Sequence, residues 1–200
     1  MELNLLTKKQ IKMTQTFNDI LATLENSKSL EVGNQAFTNG MVFDQDLSMS
    51  VLWDLNFSNF NFSKVNFSGS YFTDCKFENC TFEKTILRKC EFTDSTFKNC
   101  NVINSSLTKA DFQETIFKNC EFQQVDFGWS YFANCQFLEI RLDDINFEGT
   151  IMSDLKAKNT TSSNLHFNEK FPMKFWKSNQ SSEITDSLSF DKLLRDNDSD

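Results

Sequence analysis

The sequence predicts an all-β solenoid with short α-helical caps, and three positional regularities predict it. Every residue whose number leaves remainder two on division by five is apolar from Phe37 to Met152, 24 sites in succession. The site two residues earlier is mainly small or compact: Ser70, Cys75, Cys80, Thr85, Cys90, Ser95, Cys100, Ser105, Ala110, Thr115 and Cys120. The site two residues later is Asn, Asp or Gly in 15 of the 24 repeats, and these residues accept tight turns. A chain obeying all three rules runs a short extended face, bends, and begins again.

No regular helix or flat strand satisfies the period. A 3.6-residue turn would smear a five-residue repeat around the whole helix, and an odd step in a strand would flip alternate repeats to opposite faces. The apolar sites therefore line one common interior. The expected core is Phe57, Phe62, Phe67, Phe72, Phe77, Phe82, Leu87, Phe92, Phe97, Phe112, Phe117, Phe122, Phe127, Phe132 and Phe137. Phe fills 16 of the 24 sites, which leaves seven Phe for the rest of the chain.

Cys75-Lys76-Phe77-Glu78-Asn79, Cys100-Asn101-Val102-Ile103-Asn104, Ala110-Asp111-Phe112-Gln113-Glu114 and Val125-Asp126-Phe127-Gly128-Trp129 resemble the unit of the pentapeptide repeat family. That resemblance implies a right-handed quadrilateral β-helix with four repeats per coil. The 24 units then make about six coils over residues 35–157, roughly 29 Å long at the spacing of adjacent strands. With 20 residues per coil, Phe37, Phe57, Phe77, Phe97, Phe117 and Phe137 stack in one column. Gln35 and Gln45 at small inward sites, and the large Phe60 at another, predict an irregular or partly open first coil.

All six cysteines, Cys75, Cys80, Cys90, Cys100, Cys120 and Cys135, fall on the small inward site. Cys80, Cys100 and Cys120 would stack about 4.8 Å apart, within the separation a disulfide permits. Parallel side chains in a ladder aim the same way, so the reading favours free buried thiols over one adventitious bridge. A straight ladder offers no tetrahedral site for a metal.

A solenoid needs capped ends. In residues 1–34, Phe17, Ile20, Leu21 and Leu24 recur at helical spacing and predict a helix from Thr14 onward over the first coil. In residues 158–200, Phe167, Phe171, Phe175 and Trp176 around Pro172 predict an aromatic lid. Ser189 before Phe190, Leu193 and Leu194 predicts a short last helix, and Asp196–Asp200 an acidic disordered tail. Some relatives dimerise through such a helix, so the expectation is a monomer or homodimer.

The net charge of −8 arises entirely in residues 35–155, with seventeen acids against nine bases. An acidic rod repels phosphate, so no direct nucleic-acid binding is expected along it, and a basic protein partner suits it better. A single His, no glycine-rich phosphate loop and outward carboxylates such as Asp143 and Asp144 predict no enzyme, no cofactor and no metal. The first residues lack a secretory pattern and no segment is long and apolar enough to span a bilayer, which predicts a cytoplasmic protein without a membrane role. The expected function is a protein-interaction or scaffold module working through acidic polar faces. The alternative, implied by the resemblance, is a mimic of B-form DNA that binds DNA gyrase or topoisomerase IV and protects against poisons such as quinolones.

Overall fold

The computed structural model describes residues 16–22, 29–177 and 180–196. Parallel pairing joins each residue to the one twenty positions on: Phe37 to Phe57, Phe57 to Phe77, Phe77 to Phe97, Phe97 to Phe117 and Phe117 to Phe137. Twenty residues per turn is four five-residue repeats per turn, so the coil is four-sided. The register runs unbroken from Glu31 to His166 and makes about seven turns, one more than the sequence pattern implied. Val32 already points inward ahead of Phe37, and Leu155 and Ala157 remain buried beyond Met152.

Each corner is a left-handed residue. Every fifth residue from Asn34 to Asn164 has φ between 47° and 70°. Lys64, Lys84, Lys89, Lys109 and Trp129 hold this conformation without the tolerance of Asn or Gly, at a cost of roughly 1–2 kcal/mol each. At one corner per turn the bend closes on itself, as when Cys90 N–H donates to the Leu87 carbonyl at 3.2 Å and Ser130 N–H to Phe127 at 3.0 Å. A closing bond with positive φ at the third residue is a type II turn.

The small inward site has a polar task as well as a steric one. Its hydroxyl or thiol donates to the carbonyl of the inward apolar residue 23 positions earlier: Ser95 to Phe72 (3.3 Å), Cys100 to Phe77 (3.3 Å), Thr115 to Phe92 (3.2 Å) and Thr150 to Phe127 (2.8 Å). Ser, Thr and Cys therefore interchange there, since each is compact and carries a donor. The apolar sites stack ring on ring, with centroids 4.8 Å apart at Phe77–Phe97 and 5.1 Å at Phe92–Phe112.

The first coil is more regular than the sequence suggested. Its strand, Glu31–Phe43, pairs in register along the strand Val51–Ser63. Gln35 and Gln45 are exposed instead of lying inside. Phe60 stays buried because Gly40 sits one turn before it: a Cβ there would lie 2.2 Å from the Phe60 ring.

Both ends are capped. Helix α1, Phe17–Leu21, starts at a capping box between Thr16 and Asp19, and Phe17 packs 5.1 Å from both Phe37 and Phe57. Leu24 lies outside the described residues. At the far end, the strand Met173–Lys177 lies over Ile151–Ser153 with a shift of 23 instead of 20, then turns back antiparallel as Gln180–Ile184. Helix α2, Ser187–Asp196, follows, capped by Asp186 and not by Ser189, whose N–H donates to Asp186 at 2.8 Å. Phe190 plugs the coil 5.1 Å from Phe147, so the last turn needs only Ala157 and Ser162 where the turn before carries Phe137 and Leu142. Asp196 belongs to this helix, and 197–200 lie outside the described residues.

Candidate interaction surface

The fifteen expected core residues, from Phe57 to Phe137, are all buried. The six cysteines are free and buried. Burial pushes the Cys75 thiol up to about 11 and those of Cys90 and Cys135 up to about 12. In the stacked trio, Cys100 is raised by the thiols of Cys120 and Cys80 and by burial, while Cys80 and Cys120 are drawn down by their hydrogen bonds with Cys100. Among the described residues no group of three or more His, Cys, Asp or Glu gathers as metal ligands, and no helix is long and apolar enough to cross a membrane. The Asp143 carboxyl, held below its usual range by Ser163 (2.7 Å) and Asn164 (2.9 Å), is tied into the surface, and Asp144 meets His166 at 2.6 Å.

What remains is the outer surface, which the coil divides into four faces of unlike charge. The first face begins at Glu31–Asn34 and recurs every twenty residues. Between Glu31 and Asp154 it carries Glu31, Asp54, Asp74, Glu91, Asp94, Asp111, Glu114 and Asp154 and no Lys or Arg. The second face, beginning at Ala36–Asn39, has Lys76, Lys98, Lys118, Lys156 and Lys158 against Glu78 and Glu139. The third and fourth faces mix the two signs. The expectation of several acidic faces is thus corrected: one face is acidic and its neighbour is basic. The signal was present in the sequence, but it emerges only when residues are sorted by twenty.

Two neighbouring corners show how specific this charge is. Along the second face the corner residues Asn39, Asn59, Asn79, Asn99 and Asn119 form an amide ladder, each Nδ2 donating to the Oδ1 one turn earlier at 2.8–3.1 Å. Along the first face the equivalent corner holds Asp54, Asp74, Asp94 and Glu114, with the same left-handed backbone. Four carboxylates at a strand spacing of about 4.8 Å repel instead of bonding. None of the ion pairs among the described residues involves Asp54, Asp74, Glu91, Asp94, Asp111 or Glu114. Asp111 keeps one buried carboxylate oxygen without a hydrogen-bond partner among the described residues.

The same face is unusually apolar between its charges. Beside the acidic column run Val51, Tyr71 and Tyr131, each exposed, and the capping strand that ends the face sets Lys174 over Ile151 and Trp176, 41% exposed, over Ser153. Tyr131, Ile151, Ser153, Asp154 and Trp176 line a cleft of about 250 Å³ there. At the adjoining corner Trp129 lies 4.9 Å from Phe171, and both are half exposed.

A family model described as the pentapeptide repeat region matches residues 70–147. Among solved structures, full-length QnrB1, a plasmid-mediated fluoroquinolone resistance protein, is 13% identical, with 83% of this chain and 98% of that chain covered and a TM-score of 0.44. Rfr23, a pentapeptide repeat protein of the cyanobacterium Cyanothece 51142, is 13% identical over 80% of this chain and 98% of that chain, with a TM-score of 0.30. HetL, from the cyanobacterium Nostoc sp. strain PCC 7120 and involved in heterocyst differentiation regulation, is 12% identical over 75% and 92%, with a TM-score of 0.25. No curated protein matches the chain.

Proposed function

We propose that this pentapeptide repeat protein is a non-enzymatic interaction module whose first face binds a basic protein. One observation carries the reading. The first-face corner stacks Asp54, Asp74, Asp94 and Glu114 where Asn would suit the backbone equally and would bond to its neighbours, as the adjacent corner demonstrates. A local choice that lowers stability is expected at functional sites. Exposed Tyr and Trp beside the charges are the side chains enriched at binding hot spots.

A mimic of duplex DNA is the weaker reading. B-form DNA carries a negative charge per about 1.7 Å of axis on all sides, whereas the first face carries one per about 4 Å and the second face is basic. The deciding experiment compares three forms in capture from native lysate: wild type, a variant with Asp54, Asp74 and Asp94 changed to Asn, and a control with Lys98 and Lys118 changed to Gln. A partner held by wild type and the control but lost by the first-face variant is expected. Equal retention by all three would remove the proposal. Inhibition of gyrase supercoiling by micromolar protein, abolished by the same Asp→Asn changes, would favour the mimic.

A further inference from the structure

The spacing of the first face selects the shape of what it binds. The column Asp54, Asp74, Asp94, Glu114 advances by one strand spacing per residue, so its three steps span about 14 Å. Side chains on one edge of an extended strand recur every 6.6–6.8 Å or so, which places about three cations in that length and puts the second out of step with its carboxylate. An α-helix rises about 1.5 Å per residue, so positions i, i+3, i+7 and i+10 span about 15 Å on one side. Four cations of a helix then meet four carboxylates with a mismatch of about 1 Å over the whole column.

Resting on the reading above, we propose that the first face docks an amphipathic α-helix of at least three turns, lying along the rod axis with Lys or Arg at i, i+3, i+7 and i+10. The parallel column supplies the apolar contacts. Val51 and Tyr71 meet the flank of the helix beside Asp54 and Asp74, and Tyr131 stands one strand spacing beyond Glu114. The exposed rings also offer faces for Lys or Arg stems and heads. Glu91, in the same column between Tyr71 and Asp111, adds an exposed carboxylate beside Asp94.

The test uses the intact chain and two fluorescein-labelled 15-residue peptides of identical composition. One is lactam-bridged into a helix with Lys at the four spaced positions and Leu beside them; the other alternates Lys with the remaining residues so that it matches a strand. Anisotropy titrations in about 50 mM salt should show the helical peptide binding at least about fivefold tighter, a preference worth about 1 kcal/mol. The Asp74→Asn, Asp94→Asn protein should lose at least about fivefold for the helical peptide. Its fold is checked by circular dichroism, and Asn already occupies the same column at Asn34 and Asn134. If the alternating peptide binds as tightly as the helical one, and both weaken on the Asp→Asn protein, the helical register is overturned while the acidic face stands. If the Asp→Asn protein binds both peptides as tightly as wild type, or wild type binds neither, the acidic face fails and the helix with it.

Discussion

Changing Asp74 and Asp94 together to Asn should make the protein more stable. In wild type, three neighbouring pairs along the corner, Asp54–Asp74, Asp74–Asp94 and Asp94–Glu114, repel at about 4.8 Å. Coulomb's law in bulk water gives about 0.9 kcal/mol per pair, and a Debye length of about 8 Å reduces each to about half. Removing the three pairs therefore returns about 1.5 kcal/mol, and a hydrogen bond between the two new Asn side-chain amides adds about 0.5–1.5 kcal/mol. The backbone is unaffected, because Asn34 and Asn134 adopt the same left-handed conformation in this column. A gain of about 2 kcal/mol raises Tm by roughly 4–8 °C in a domain of this size. Thermal melts followed by circular dichroism at about 0.15 M and 1 M NaCl provide the assay. The gain should shrink by about 1 kcal/mol at the higher salt, where a Debye length of about 3 Å screens most of the repulsion and leaves the hydrogen bond. A variant that melts below wild type, or a gain untouched by salt, would refute the reasoning.

Asn99→Ala should cost about 2 kcal/mol in urea unfolding, since it breaks two ladder bonds, to Asn79 and from Asn119, and leaves a β-carbon without amide compensation at positive φ. Phe112→Ala, at 0% exposure and stacked on Phe92 and Phe132, should cost about 3–5 kcal/mol and open a cavity detectable as a lowered urea midpoint with unchanged slope. Gly40→Ala should destabilise the first coil through the Phe60 ring 2.2 Å from the new methyl, and Phe60→Leu in the same chain should recover part of the loss. An unfolded thiol ionises near 9.0, whereas burial holds Cys75 up to about 11 and Cys90 and Cys135 up to about 12. The unfolded chain thus releases these protons first, so their contribution is full below pH 9 and is lost as pH rises through 11 to 12. Urea midpoints that hold steady from pH 9 to 11.5 would contradict this, as would rapid labelling of the native thiols by an aromatic disulfide at pH 8.

The coil was legible because a local rule repeats without interruption. Phe77, Cys75 and Asn79 each announce their part of one repeat, and the next repeat says the same. Its ends were less legible, because there the interior is filled by distant residues. Ala157 and Ser162 break the apolar rule, yet the turn continues because α2 brings Phe190 over them and Ser162 bonds Asp191. Phe60 reads as a misfit until Gly40 is found one turn away. Lys84, Lys89 and Trp129 look unlike turn residues, but the ladders on both sides impose their left-handed backbone.

By itself the sequence determined the period of five, the inward Phe column, the thiol positions and the excess of acid in the middle of the chain. A period of five is set by which side chains must escape water, and that requirement is written into every repeat. Only the tertiary structure decided that the excess acid gathers on one face beside a basic one, and that its carboxylates stand one above another. Charges twenty residues apart become neighbours solely through closure of the four-sided turn, so their repulsion and their spacing are properties of the coil, invisible in any single repeat.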